Sequence, residues 1–282
     1  MPKLDKILKS LQRNEISVTV CETQSDASPY RSKFGGKPAV SADFVWPYFE
    51  AENYEGEVAN RPLSFLGQIN LQEMHPYDKE NLLPDKGLLL FFYEMDSMCW
   101  GYDPADDDCA RVYYFEDIEQ LKEADFPKDL QKGYELKEYA LSFSSKASYP
   151  DFEEVDCYID LDCDWDDYDE ALENMGYELE SERHKLLGYA DLVQSEMLTE
   201  CERTARGLYC GDAESYRKLS EEEKEDIKKS ATDWILLFQL ASIQDDDYEL
   251  MFGDLGNLYF YIRKQDLKER RFDKVRLVLQ CG

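Results

Sequence analysis

The sequence contains few of the residues and patterns that catalytic sites use. Its only histidines, His75 and His184, lack an acidic or thiol partner at the spacing of a triad or a metal site. No GxGxxG, GxxxxGK[ST] or GxSxG pattern occurs, which removes the usual signatures of nucleotide binding and serine hydrolysis. A lone histidine usually has a structural role, and His184 is kept only as a candidate binding residue. The sequence predicts no cofactor and no catalytic residue.

Long apolar runs and paired cysteines are also missing. The first twenty residues hold no run long enough for a signal peptide, and no stretch approaches the roughly 18 apolar residues that a membrane span needs. The eight cysteines include no CxxC pair and no spacing of a disulfide framework, which is typical of reduced thiols. We therefore expect a cytoplasmic protein that does not contact a membrane.

Basic residues are scarce, because 32 Lys and Arg oppose 62 Asp and Glu for a net charge of −30. Half of this excess lies in residues 151–182, which hold fifteen acidic side chains and no Lys or Arg. Nucleic-acid binding needs a concentrated basic face, so we expect none. A strongly negative surface attracts cationic partners, which predicts a basic protein as the partner. The alternative is that the acidity only confers solubility.

Part of the acidic segment has the spacing of a calcium-binding loop. Asp162, Asp164, Asp166 and Glu173 occupy positions 1, 3, 5 and 12 of such a loop. Position 6 is Asp167, where the tight turn of the loop requires glycine. The spacing therefore predicts at most a weak attraction for divalent cations at Asp162, Asp164 and Asp166.

Two parts of the chain resemble each other. Residues 63–71 read LSFLGQINL and residues 234–242 read WILLFQLAS, and each segment precedes a second apolar stretch that begins with glycine. Gln68 matches Gln239 at an offset of 171 residues, and other short blocks recur in the same order at slightly smaller offsets. Loop insertions between shared strands would produce such a drift. The pattern predicts an internal duplication.

This repetition predicts an α+β fold of mostly antiparallel β-sheets with a few peripheral helices, arranged about a pseudo-two-fold axis. Short connections of this kind cannot make parallel crossovers. We expect residues 1–282 to form one compact unit, because a single small sheet leaves an apolar face uncovered. Its parts would be one pseudo-repeat over about residues 31–150, an acidic connection over 151–182 and a second pseudo-repeat over about 183–282.

Hydrophobic periodicity predicts the individual elements. The predicted helices cover residues 3–14, 117–124, 166–181, 220–229 and 264–271. The predicted strands cover residues 16–21, 63–71, 88–94, 111–116, 134–143, 233–241, 257–263 and 275–281. Residues 22–37, rich in Ser, Pro and Gly, are predicted to form a loop. Ser220 stands three residues before Glu223, which predicts a capping box.

Several residues outside the acidic segment are candidates for ligand binding. Gln68 and Gln239 lie in apolar strands, where a buried amide usually satisfies backbone groups and can instead contact a ligand. Aromatic residues beside glycine loops often line clefts, although they also serve as ordinary core residues. The residues of this type expected to line a cleft between the repeats are Trp46, Trp100, Gly35 and Gly36.

A set of sequence blocks recurs in the order of one family. The blocks are FGGKPA from Phe34, VWP from Val45, LSFLGQINL, LPDKGLLLFFYE, WGYDP from Trp100, HKLLGYAD from His184, GNLYFYIRKQDLKERRFD and LVLQC. From about residue 31 onward, the chain resembles the YwqG-like family of bacterial proteins. The resemblance implies a cytosolic, mostly β, internally duplicated protein, and it supplies no catalytic residues. The chain departs from the pattern at Ala190 and Phe252, where the family has Pro and Trp.

Three classes of function stay open at this point. The first is a non-catalytic protein whose acidic surface captures a basic partner; members of the resembled family occur near secreted-toxin genes, which suits an immunity role. The second is a binder of small molecules or peptides in a cleft between the repeats. The third is a metal-assisted hydrolase or transferase, although with 62 carboxylates the spacing of acidic pairs carries no information. We expect a binding protein and no enzyme.

Overall fold

The computed structural model describes residues 2–22, 28–177, 183–245 and 248–282. The strands in this part of the chain are β1 (Arg13–Cys21), β2 (Lys33–Phe34), β3 (Ala39–Val40), β4 (Tyr48–Glu52), β5 (Val58–Pro62), β6 (Ser64–Asn70), β7 (Leu88–Tyr93), β8 (Ala110–Phe115), β9 (Lys122–Glu123), β10 (Tyr139–Ser148), β11 (His184–Leu187), β12 (Trp234–Ala241), β13 (Ile243–Gln244), β14 (Glu249–Leu250), β15 (Asn257–Arg263) and β16 (Arg276–Gln280). The α-helices are α1 (Pro2–Leu11), α2 (Leu71–Met74), α3 (Phe152–Val155), α4 (Trp165–Asn174), α5 (Leu198–Ala205), α6 (Ala213–Arg217), α7 (Glu221–Ala231) and α8 (Lys264–Lys268). Short 3-10 helices cover His75–Tyr77, Pro104–Asp108 and Phe272–Lys274.

One large sheet organises the molecule. Its ten strands follow the order β16-β15-β12-β11-β1-β10-β2-β6-β7-β8, and every neighbouring pair is antiparallel. The central pair is β1 and β10, which run together from Arg13 opposite Ser148 to Cys21 opposite Ala140. Smaller ribbons join β3 to β9, β4 to β5, and β13 to β14. This arrangement confirms the predicted mostly antiparallel α+β class.

The sheet curves until its two ends approach each other. Phe91 on β7 and Phe260 on β15 have ring centres 5.3 Å apart, although these are the ninth and second strands in the sheet order. At the edge, Leu279 N on β16 donates to Trp100 O in the connection after β7, at 3.0 Å. The main hydrophobic core fills the space between the facing halves. The result is a nearly closed sheet, and closure protects edge strands from pairing with other chains.

Helices and loops cover the outer faces of the sheet. Leu198 and Cys201 of α5 pack against Trp234 and Tyr261, which point outward from β12 and β15. On the opposite side, the connections around β3 and β9 cover apolar side chains of β6 and β7, including Phe92. Both faces of the sheet are therefore covered, which explains why every residue of β6, β7 and β12 is buried. Among the described residues, no helix is long and apolar enough to cross a membrane.

The N-terminal helix docks on the acidic segment. α1 is amphipathic, as the spacing of its leucines predicts, and Leu8 is completely buried against the cluster that contains Tyr168 and Leu172 of α4. α4 begins where Asp164 Oδ1 accepts a hydrogen bond from Asp167 N at 3.0 Å, which satisfies one of the free amides of the first turn. Packing of α1 on α4 creates the groove described below.

Several element predictions are confirmed. The strand predicted over 257–263 matches β15 in full, and the strands predicted over 63–71 and 88–94 match β6 and β7 to within one residue. The capping box at Ser220 is present in both directions, because the Glu223 side chain accepts from Ser220 N while Ser220 Oγ accepts from Glu223 N. Short side chain to backbone contacts of this kind are encoded locally, which is why they can be predicted.

Other element predictions are wrong. The helix predicted over 117–124 does not form, because Lys122–Glu123 pairs as β9 with β3 and Ala124 N donates to Pro38 O. The strand predicted over 134–143 begins only at Tyr139, since its register is set by β1. The predicted loop 22–37 contains β2, and its residues 23–27 lie outside the described residues. The helix predicted over 166–181 ends at Asn174, and its predicted positions 178–181 are likewise not described.

Candidate functional site

A groove of about 770 Å³ that is suited to binding lies between α1 and the acidic segment around α4. Its apolar lining consists of Leu4, Ile7, Leu161, Cys163 and Ala171. Its acidic lining consists of Asp5, Asp160, Asp162, Asp167 and Glu170. No Lys or Arg of the described residues is part of this lining. The groove thus combines an apolar floor with a negatively charged rim, and we call it the acidic groove.

α1 and α4 each form one wall of the acidic groove. Leu8 and Leu11 of α1 face the hydrophobic cluster on α4, so that Leu4 and Ile7, one turn away, are left half-buried along the groove. On the other wall, Ala171 is buried because its small side chain lets α1 approach α4. Asp167 and Glu170 lie one turn apart on α4 and are both exposed.

The rim produces a negative field inside the acidic groove. The pKa of the Cys163 thiol is affected by this field. Burial raises the pKa, and the neighbouring carboxylates of Asp167, Asp164 and Asp162 raise it further. Adjacent to the groove, the indole of Trp165 is 47% exposed and donates from Nε1 to Asp169 Oδ2 at 2.7 Å. An apolar floor inside a negative field suits a ligand that is itself both apolar and cationic.

The three aspartates with calcium-loop spacing take different positions. Asp162 lines the acidic groove, Asp164 caps α4, and Asp166 lies exposed in the first turn of that helix. A twelve-residue calcium loop needs irregular backbone over this stretch, whereas residues 165–174 are helical. Within the described ranges, no group of three or more His, Cys, Asp or Glu side chains is arranged to hold a metal ion.

Gln68 is held by the backbone around it. Its Nε2 donates to Pro29 O and Arg31 O, both at 2.8 Å, and its Oε1 accepts from Ala39 N at 3.0 Å. The side chain is completely buried, and the three bonds fix the loops on either side of β2. The amide is therefore committed to protein partners, as a buried polar group usually is.

Gln239 has the same type of environment with charged neighbours. Its Nε2 donates to Arg183 O at 2.9 Å and to Asp191 Oδ2 at 2.8 Å, and its Oε1 accepts from Asp191 N at 3.0 Å. Burial by itself raises the pKa of the Asp191 carboxyl, but the charges of Lys185 and Arg183 outweigh this and lower it. Glu15 completes the buried network by pairing with both cations.

The remaining candidates lie in three different surroundings. Trp46 donates from Nε1 to Leu63 O at 2.9 Å and packs with aromatic rings outside β6 and β7. Trp100 lines a separate cavity of about 400 Å³ beside β4. Gly35 and Gly36 adopt φ of +58° and +66° and pack closely against residues 136–138. The described cavities do not bring Trp46 together with Trp100.

His184 is a partly buried side chain on β11. Its Nδ1 accepts a hydrogen bond from Ala241 N at 3.1 Å, and its ring makes an edge contact with Phe34 at 5.1 Å. Burial lowers the pKa of His184 to about 4, so the ring is neutral at pH 7. Its observed contacts are structural.

Sequence reasoning missed the contribution of α1 to the acidic groove. Asp5 lies between Leu4 and Ile7 on the edge of the amphipathic face, which is the position of a side chain at a helix interface. The helical spacing of its apolar residues indicates that α1 docks on another part of the protein. The docking partner is about 160 residues away in the sequence and could not be identified from this periodicity.

The fold and the groove define a class: a mostly antiparallel α+β protein whose large, nearly closed sheet carries an acidic helical appendage. A domain family described as a domain of unknown function (DUF1963) matches residues 32–281. Because the match covers most of the chain, the protein belongs to this family. No curated protein matches the sequence. α1 and β1 precede the matched region, so one wall of the acidic groove lies outside it.

Proposed function

We propose that this protein is a non-catalytic binding protein whose acidic groove captures a basic partner. The observation that carries the proposal is the pairing of an apolar floor with a rim of five carboxylates that no described cation neutralises. Negative surfaces speed the approach of cationic partners, and burial of apolar side chains then holds them. The partner segment is accordingly an amphipathic one with Lys or Arg on one side and aliphatic side chains on the other. An immunity protein that neutralises a basic toxin is one form of this function.

A labelled helical peptide with one lysine face and one leucine face tests the proposal by fluorescence anisotropy. We expect the intact protein to bind this peptide with an affinity that falls as salt is added. A variant that neutralises the groove carries Asp160→Asn, Asp162→Asn, Asp167→Asn and Glu170→Gln. Its dissociation constant is expected to rise about tenfold or more, because four attractive charges are removed.

A matched control removes the same number of charges from other exposed sites. It carries Glu55→Gln, Glu222→Gln, Glu225→Gln and Asp254→Asn. If the peptide binds through the acidic groove, the control keeps nearly the affinity of the intact protein. Equal weakening in both variants would show that only net charge matters and would reject the groove as the site.

We also propose that the chain arose by internal duplication and carries a pseudo-two-fold axis. Read outward from the central pair, the sheet order is β10-β2-β6-β7-β8 on one side and β1-β11-β12-β15-β16 on the other. Lys33 lies opposite Gln68 in the same way that Lys185 lies opposite Gln239. β6 and β12 each carry a register shift just before the glutamine. These correspondences support a common origin of the two halves.

We also propose that residues 1–282 form one compact unit, which the isolated second half tests. Because β11 pairs with β1, a fragment of residues 151–282 lacks a central strand partner and is expected not to fold. A soluble fragment that melts cooperatively would mean that the halves are independent domains.

We further propose that the protein is a cytoplasmic member of the YwqG-like bacterial group within its family, as the sequence blocks suggest. Fractionation of the native host would test the location.

A further inference from the structure

A small cavity lies where β1 begins, away from the acidic groove. It has a volume of about 140 Å³, and its polar lining includes Arg13, Asn14, Glu80, Gly188 and Lys264. This volume corresponds to about four or five water molecules. The cavity can therefore hold a small polyatomic ion, but it cannot enclose a nucleotide.

The two cations of this cavity, half-buried Arg13 and exposed Lys264, lack the ion pairs that the buried cations of the protein make. Lys33, Arg61, Arg183 and Lys185 each lie within 4.0 Å of a carboxylate. Across the described residues, no carboxylate lies within that distance of the charged nitrogens of Arg13 or Lys264. The cavity is therefore lined by two cations that make no ion pair with the described carboxylates.

Arg13 is held in place by aromatic rings. Its guanidinium carbon lies 4.1 Å from the ring centre of Tyr189 and 5.0 Å from that of Tyr158. Such contacts cover the flat face of a guanidinium and favour its charge, while its N–H groups point outward from the edge. The rings therefore orient Arg13 without neutralising it.

Lys264 is close enough to Arg13 for the two charges to repel each other. Its Nζ donates to Thr232 O at 2.9 Å, which leaves two further donors on the ammonium. Partial burial lowers the pKa of Lys264, and the charge of Arg13 lowers it further. A bound anion between the two cations would relieve this repulsion.

We propose that this cavity is a binding site for a small tetrahedral oxyanion, such as inorganic phosphate or sulfate, held between Arg13 and Lys264. Charge-assisted hydrogen bonds from a guanidinium and an ammonium are the usual means of holding such an ion. Carboxylates oppose it: Glu80 lines the cavity, with Oε1 accepting from Asn14 N at 2.6 Å, and the charges of Glu154 and Asp233 act on Arg13 and Lys264. These negative charges predict modest affinity.

The test is a calorimetric titration of the full chain with sodium phosphate at fixed ionic strength, with sodium chloride as the reference salt. The intact protein is expected to bind phosphate and not chloride. Arg13→Gln and Lys264→Gln should each weaken phosphate binding about tenfold or more, since each removes a charge-assisted bond. Glu80→Gln should tighten it severalfold, because the amide still accepts from Asn14 N while the opposing charge disappears.

Lys268→Gln is the matched control, because Lys268 is exposed on the same short helix as Lys264 and does not line the cavity. It should leave phosphate binding unchanged. Lys264 is also exposed, so Lys264→Gln is expected to fold even if Arg13→Gln does not. The proposal is overturned if phosphate binds no better than chloride, or if Lys264→Gln and Lys268→Gln have the same effect.

Discussion

Lys185 Nζ lies 3.4 Å from Glu15 Oε2, and both side chains are buried. Arg183 Nη1 donates to the other oxygen of Glu15 at 2.9 Å. One carboxylate on β1 therefore pairs with two cations at the beginning of the neighbouring strand β11. Glu15→Gln removes the charge and leaves both cations less well compensated in a buried site. We expect the free energy of unfolding, measured by urea denaturation, to fall by about 3–5 kcal/mol.

A second carboxylate, that of Glu138 just before β10, provides a comparison. Glu138 pairs with Lys33 at 2.8 Å, but its side chain is 28% exposed, whereas that of Glu15 is fully buried. Glu138→Gln should therefore cost less than Glu15→Gln, because water can replace part of the lost interaction. A loss below about 1 kcal/mol for Glu15→Gln would contradict the importance given to the buried network.

Gly188 is predicted to be irreplaceable for steric reasons. Its φ is +73°, and a Cβ there would lie 2.7 Å from Glu15 Cβ and 2.9 Å from Ser148 Cβ, atoms that cannot move without the backbone. Gly176 has φ of +75° with no atom near the position of a Cβ, so it is the matched control. Gly176→Ala should cost about 1–2 kcal/mol from backbone strain alone. Gly188→Ala should cost clearly more in the same denaturation experiment, and equal costs would show that the contact is relaxed.

Glu154 predicts a pH dependence of stability. It is buried, Tyr158 donates to its Oε1 at 2.8 Å, and burial raises its pKa to about 7. The folded state therefore keeps this proton to higher pH than the unfolded state, whose pKa is near 4.5. Its contribution to the free energy of unfolding should decrease as pH rises from about 4.5 to 7, by about 2–4 kcal/mol. Glu154→Gln should remove that decrease.

The measurement for Glu154 is a series of urea denaturations between pH 4.5 and 8. Glu153→Gln serves as control, because Glu153 is the exposed neighbour on the same helix. Burial and the charge of Glu196 also raise the pKa of Glu200 to about 7, so part of the decrease should persist in Glu154→Gln and should become smaller again in the double variant with Glu200→Gln. An unchanged slope in Glu154→Gln would contradict the assignment.

His184 predicts an opposite trend in acid. Because burial lowers its pKa from 6.5 to about 4, the folded state favours the neutral ring, and this contribution to stability is lost as pH falls from about 6.5 to 4. An NMR titration of the histidine ring protons measures this directly, with His184→Gln identifying its signal. The signal should stay that of a neutral ring until the pH approaches 4. Titration near pH 6.5 would show that the ring is open to solvent.

What could be predicted from the sequence depended on how far apart the interacting residues are. The apolar strand at 257–263 and the capping box at Ser220 were predicted correctly because their signals lie within a few residues. The helix predicted over 117–124 was wrong because pairing with β3, about 80 residues earlier, outweighed local preference. β11 was not predicted, since its four residues give no periodicity and become a strand only between β1 and β12.

Whether a candidate site could be predicted also depended on how far apart its residues are in the sequence. The acidic segment was evident from its composition, and the acidic groove extends that observation by adding the apolar floor. The oxyanion cavity left no local signal, because Arg13 and Lys264 are about 250 residues apart and come together only where β1, β11, β12 and β15 lie side by side in the sheet. Ion-pair partners such as Glu15 and Arg183 are 168 residues apart, so their pairing could not be predicted from charge spacing.

The most direct measurement of the central claim is hydrogen–deuterium exchange of the full chain with and without the lysine- and leucine-faced peptide. Binding in the acidic groove would slow exchange of amides in residues 4–11 and 160–174, which form its two walls. Exchange in α7, another acidic helix, would stay the same. Unchanged exchange at both walls under saturating peptide, or protection confined to α7, would contradict the account.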